Sequence, residues 1–259
     1  MKLMINHQTH YQYTETAKNS IQYIRMCPQC NAHQKVDAWS VSIPGHTVEA
    51  KDAFNNIWIT STQRYAYQNL SIMAQGIIEI DTVSEQAIES EVPVGIFLQI
   101  TPATQCDAEM KAFAAQHVSK KTRDELKHLS YALLEHMPYI SDSTQVNTTA
   151  IDAFHHQQGV CQDHTHVFVG MCRELNIPAR YVSGYLYVPE MSHLASHAWA
   201  EAYIDGVWYT FDVSNQLYTP SSHIYIALGR DYWDVAPIRG VREAGGVESM
   251  TTIVQVLPC

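Results

Sequence analysis

The Asp205-Gly206 pair constrains this chain more than any other feature. It sits between two strand-like runs, His197 to Tyr203 and Val207 to Asp212, and Asp-Gly is a strong two-residue hairpin turn. Pairing Ile204 with Val207 sets Trp199 opposite Asp212 and His197 opposite Ser214. Side chains alternate across a strand, so His197 and Asp212 share one sheet face as diagonal neighbours, roughly 7–8 Å apart at the backbone. An imidazole and a carboxylate so placed are within hydrogen-bonding reach, although a His–Asp pair on a polar sheet face can also be mere surface. The opposite face carries Ala198, Ala200, Ala202, Tyr209 and Phe211, which suits a packed helix.

A helix that could cover such a face is legible upstream. Phe168, Met171, Cys172 and Leu175 recur at helical spacing, and Asn176-Ile177-Pro178 closes the run. Cys161, just after Gly159-Val160, opens it. A thiol there meets unpaired N–H groups and the positive end of the helix dipole. Both favour the thiolate, and the same N–H groups could hold an oxyanion. Gly159 would let the backbone turn sharply before the helix. The plainer reading of Cys161 is a small apolar helix residue.

Two further helices precede it. Asp107 can cap one with Met110, Phe113, Ala114 and Val118 on one face; a second runs from about Thr122 to His136, striped by Leu126, Leu129, Leu133 and Met137. The first hundred residues read instead as short strands (7–13, 20–26, 36–43, 56–61, 65–76 and 77–82), with turns at Pro44-Gly45 and Asn55-Asn56. Strands at this spacing suggest a sandwich-like β domain. The pattern changes near Thr101-Pro102, so the expected fold is α+β. An N-terminal antiparallel β-sandwich-like domain spans residues 1–103, and a core of helices and strands spans 104–259.

Composition narrows the function. The 259 residues hold 16 Lys+Arg against 26 Asp+Glu, a net charge of −10, which argues against a nucleic-acid partner needing a basic face. With 46% apolar residues the chain can bury a core. No apolar stretch approaches the ~20 residues that cross a bilayer, so no membrane partner is expected. The first residues, Met1 to His7, lack the apolar run of ~7–15 residues of an export signal, and a cytoplasmic protein is expected. The six cysteines are few and irregularly spaced, which suits free thiols. Self-association into a homo-oligomer is left open.

Cys161, His197 and Asp212 together supply a nucleophile, a general base and an orienting carboxylate, the residue types that acyl chemistry through a thioester requires. The stretch GVCQDHTHVFVGMCRELNIPARYVSGYL, followed by SHAWAEAYIDGVWYTFD, resembles the core of the transglutaminase-like superfamily, papain-related enzymes with Cys-His-Asp order. HYQYTETAKNSIQYIRM, DAFNN, AQGIIEID and the tail HIYIALGRDYWDVAPIRGV resemble its bacterial branch of cysteine-protease-like proteins with an N-terminal β domain. The resemblance implies a papain-like core with Cys161 as nucleophile, His197 as base and Asp212 as orienter, and no cofactor. It implies a peptide-like or amide small-molecule substrate and hydrolysis of an amide or isopeptide bond. Acyl transfer to an amine and a non-catalytic binding module are the alternatives. The branch continues after its aspartate as Asp-Pro-Thr-Asn, whereas this chain reads Asp212-Val213-Ser214-Asn215. Gln162 stands where fungal and animal transglutaminases place a Trp.

Other residues are weighed around this triad. Gln162, Asp163, His164 and Trp199 are candidates for substrate binding or the oxyanion hole. Asp163 suits the helix start or a cationic substrate group, and Trp199 could shield the His–Asp bond. His155, His156, His164 and His166 lack tetrahedral metal spacing and are expected at the cleft mouth. Cys27-Pro28-Gln29-Cys30 with His33 resembles half a zinc knuckle but lacks a second pair, so no metal is expected. His223, Arg230, Asp231 and Tyr232 belong to the tail, with Arg230 and Asp231 a candidate buried pair.

Overall fold

In a computed structural model describing residues 1–189 and 196–259, β1 (Lys2–Ile24) forms the spine of one curled antiparallel sheet of seven strands. On one side it pairs with β5 (Tyr67–Ile80) and then β4 (Ile57–Gln63). On the other it pairs with β11 (Glu248–Pro258) and then β10 (Ile238–Ala244). The strands β2 (Gln34–Ser42) and β3 (His46–Lys51) lie outside β5 and β4. Leu3, Ile5, His7, Thr9, Tyr11 and Tyr13 point inward in strict alternation, as a half-buried strand requires. Both ladders are irregular between Gln12 and Ile21, where Asn19 adopts φ 45°, and this break lets the sheet curl. The expected sandwich is thus a single curled sheet. The division at residue 103 also assigns residues 238–258 to the core, whereas β10 and β11 complete the N-terminal sheet.

The core is α+β. Its sheet runs β8 (Val207–Phe211), β7 (His197–Ile204), β6 (Ala179–Leu186), β9 (His223–Gly229). The hairpin has the expected register, Ile204 opposite Val207 and Ala200 opposite Phe211. Its turn residues Asp205 and Gly206 both take positive φ, 51° and 86°, as a type I′ turn requires. The helices are α1 (Ala108–His117), α2 (Arg123–His136), α3 (Ala150–His156), α4 (Cys161–Glu174) and α5 (Tyr232–Val235). Asp107 caps α1 through its side chain, as the sequence indicates, and Thr122, the expected start of the second helix, caps α2. On the sheet, α4 buries Val167, Phe168, Met171 and Cys172 against Ala200, Ala202 and Phe211. Among the described residues no helix is long and apolar enough to cross a membrane.

Beneath the sheet, Arg180 and Glu201 form a fully buried ion pair, with Arg180 Nε 2.7 Å from Oε2. Trp208 stacks on the guanidinium at 4.1 Å, and Glu201 Oε1 accepts from Trp199 Nε1 and the Tyr225 hydroxyl. Removing one partner strands the other charge in a dry site. Glu201→Ala is therefore expected to cost about 3–5 kcal/mol in urea unfolding; a loss below about 1 kcal/mol would contradict a buried ionic pair.

The two sheets meet through Leu3, Ile5, Ile78, Val254 and Val256 of the first and Tyr181, Tyr185, Ile224 and Ile226 of the second. Polar side chains of the N-terminal half also occupy the outer edge of β9. Gln34 bonds both the N–H and the carbonyl of Tyr225, and Asn56 does the same for Leu228. His33 Nε2 donates to the His223 carbonyl at 2.9 Å. An edge strand otherwise left with unpaired backbone groups is thereby satisfied.

Candidate active site

The segment before Cys161 is pinned on both sides. Ile140 N–H donates to the Gly159 carbonyl at 3.0 Å, and Asp163 Oδ2 accepts from Val160 N–H at 2.8 Å and the Thr144 hydroxyl at 2.6 Å. Gly159 is needed for close approach: a Cβ there would lie 2.7 Å from Asp163 Cβ, and its φ is not positive. Cys161 thus starts α4 with its own N–H, like that of Gln162, at the helix positions that lack an intrahelical acceptor.

His197 is the first residue of β7, and Asp212 directly follows the last residue of β8. His197 Nε2 lies 2.7 Å from Asp212 Oδ2. With Nε2 so engaged, Nδ1 is the nitrogen left for the neighbouring Cys161 sulfur. Burial alone would push His197 down, but the Asp212 carboxylate and the Cys161 sulfur outweigh it and raise it to about 10. Burial opposes ionisation of Asp212 too, yet His197 and then His223 hold it well below the usual carboxylate range.

Asp212 is anchored by more groups than the sequence indicates. A bridge with Leu217 fixes its backbone, and Asn215 donates from its N–H to Oδ1 at 3.2 Å and from Nδ2 to Oδ2 at 3.0 Å. His223 Nε2 sits 3.1 Å from the same Oδ2. His197, Asp212 and His223 are the one group of three metal-type ligands among the described residues. Both imidazole nitrogens approach one oxygen at hydrogen-bond distance, so the cluster is already paired internally.

An open cleft of about 470 Å³ fronts the pair, lined by Cys161, Gln162, His197, Tyr139, Tyr181 and Tyr232 among others. Of the four residues proposed for substrate contact, only Gln162 lines it, and its Nε2 donates to the Val146 carbonyl at 3.0 Å. Asp163 is buried beneath the helix start, where burial pushes its carboxyl upward. His164 is buried between Ser214 Oγ (3.0 Å) and the Met137 carbonyl (2.6 Å). Trp199 is buried with its ring 4.6 Å from that of His223 and 6.1 Å from that of His197, which keeps water from the carboxylate.

The remaining expectations resolve similarly. Rather than lining the cleft mouth, His166 is buried, with burial lowering it to about 3, and His155 pairs with Asp107. Arg230 pairs with Asp234 rather than Asp231, and Asp231 instead caps α5 through Trp233 N–H. His33 is committed to His223, and Cys30 Sγ accepts from Val36 N–H. Of the residues overlooked as cleft walls, Tyr139 and Tyr181 lacked any local signal, since long-range packing alone brings them beside Cys161.

Comparison with known proteins fits this geometry. Residues 111–213 match the transglutaminase-like superfamily, and residues 3–79 match the bacterial transglutaminase-like N-terminal region. The chain thus joins a transglutaminase-like core to a bacterial transglutaminase-like N-terminal region. An uncharacterized protein of Mycobacterium leprae is 27% identical over 98% of both chains. One of Mycobacterium tuberculosis is 24% identical over 98% of this chain and 92% of its own. The crystal structure of a "Putative Cysteine Protease" from Cytophaga hutchinsonii superposes with a TM-score of 0.80 at 23% identity, over 99% of this chain and 90% of that one, and so shares the fold.

Proposed function

We propose that the protein is a cysteine-dependent amide or isopeptide hydrolase acting on a peptide-like substrate through a thioester. One observation carries this reading. His197 is gripped by Asp212 at 2.7 Å on one nitrogen and lines the same open cleft as Cys161, whose sulfur is near enough to raise it. Cys161 attacks the carbonyl carbon, and the free N–H groups at the start of α4 stabilise the oxyanion. His197, held protonated by Asp212, gives its Nδ1 proton to the leaving amine. The C–N bond breaks and a thioester remains. His197 then takes a proton from the incoming water, the C–S bond breaks to release the acid, and the thiolate–imidazolium pair is restored.

Hydrolysis is favoured over transfer because the rim formed by Tyr139, Ser141 and Asp142 is exposed, so water reaches the thioester. All six cysteines are unpaired, which suits a reducing compartment such as the cytoplasm. The test is product analysis over a library of peptide amides, with and without a primary amine. The free acid is expected to dominate at millimolar amine. A predominant amide product would assign the site to acyl transfer, and no turnover of any amide would sink the enzymatic reading.

A further inference from the structure

We infer that His223 is a positioning residue for the proposed acyl chemistry, and that the N-terminal domain holds it in place through His33. The inference rests on the hydrolase reading and adds to it a fourth residue. His223 Nε2 lies 3.1 Å from Asp212 Oδ2, and both side chains are fully buried. Asp212 is an acceptor here, since His197 and His223 together hold it ionised. The shared hydrogen bond therefore places a proton on His223 Nε2. Its Nδ1 is buried and has no hydrogen-bond partner among the described residues, so the ring contributes through one nitrogen only.

His197 and Asn215 hold the carboxylate from β7 and from the loop that follows Asp212, and neither ties it to β9. His223 adds a further donor on the same oxygen from that strand, which fixes the carboxylate against the assembled sheet. Trp199 seals the arrangement by covering both imidazoles. His223 is itself fixed from outside the core. Its carbonyl accepts from His33 Nε2 at 2.9 Å, and the flanking Tyr225 is clamped by Gln34 and by the His33 ring, 5.4 Å away. The contacts run from the N-terminal sheet through His33, His223 and Asp212 to His197 and Cys161. This arrangement gives the N-terminal domain a task in setting the active-site geometry. It also accounts for polar side chains along a buried strand edge that apolar packing alone would not call for.

A pair of amide substitutions separates positioning from packing. In His223→Gln the amide nitrogen falls where Nε2 was and can still donate to Asp212. In His223→Asn the shorter amide reaches only the Nδ1 position. The probe is iodoacetamide on the full-length protein at pH 7.5, with Cys161 alkylation read by mass spectrometry against exposed Cys30 and Cys259 in the same molecule. Loss of one hydrogen bond to an ionised group predicts a Cys161 rate about tenfold lower in the Asn variant. The Gln variant should stay within about threefold of wild type. His33→Ala, which leaves every core side chain intact, should show a smaller drop, about threefold. Asn and Gln variants that react equally, whether both fast or both slow, would overturn the positioning role. A Cys161 in the wild type that reacts no faster than Cys30 would instead remove the hydrolase reading and this inference with it.

Discussion

Cys161→Ala is expected to abolish turnover, by at least ~10⁴-fold in kcat/KM, while leaving the fold in place. The two halves of this outcome have separate physical grounds. Cys161 is the one thiol lining the cleft among the described residues and the group whose sulfur acts on His197, whereas burial raises the phenols Tyr139, Tyr181 and Tyr232. Alanine, however, is the best helix former and replaces a half-buried side chain at the edge of an apolar cluster. The thermal midpoint should therefore move by no more than a few degrees. Amide turnover above a few per cent of wild type would mean that Cys161 is not the nucleophile.

Asp212→Asn should cost nearly as much, on the order of 10³–10⁴-fold, because it keeps the shape of the side chain while removing its charge. His197 then loses the group that opposes its desolvation, so its titration, raised to about 10 in the native protein, should fall to or below the ordinary 6.5. Histidine-selective NMR reads this directly. A His197 resonance that titrates identically in both proteins would detach the carboxylate from the imidazole. The same shifts set the pH dependence of stability. His197 is raised in the folded state, so its contribution is complete below about 6.5 and lost as pH rises through about 10. Asp212 is lowered, so its contribution is complete above the ordinary 3.8 and lost in acid. Both contributions are complete between those ordinary values, and the wild type should be less stable on either side.

The sequence makes the hairpin and α4 readable because their determinants are local. Asp205-Gly206 sets a register, a register sets a face, and the face puts His197 beside Asp212. The Asp107 cap and the start of α2 near Thr122 are visible for the same reason. What sequence patterns do not carry is pairing across hundreds of residues. Leu3 opposite Pro258 and Ala17 opposite Ala244 leave no trace in either segment, so the C-terminal strands read as part of the core. Helix α3 is short and follows a polar stretch, and no stripe marks it, although Thr149 and Asp152 form a capping box. Asp163 and His164 follow Cys161 in sequence but lie on the buried side of α4, since a helix turns about 100° per residue. His223 arrives at Asp212 from β9, and only the assembled sheet brings the two together.

Competition among the six thiols tests the proposed nucleophile most directly. Cys30 and Cys259 are exposed, Cys161 is half-buried, and burial pushes Cys27 up to about 11 and Cys106 up to about 12. With substoichiometric iodoacetamide at neutral pH, Cys161 should be alkylated first despite its lower exposure, and the preference should vanish in Asp212→Asn. Labelling that follows exposure, with Cys30 and Cys259 ahead of Cys161, would contradict an activated Cys161–His197–Asp212 site.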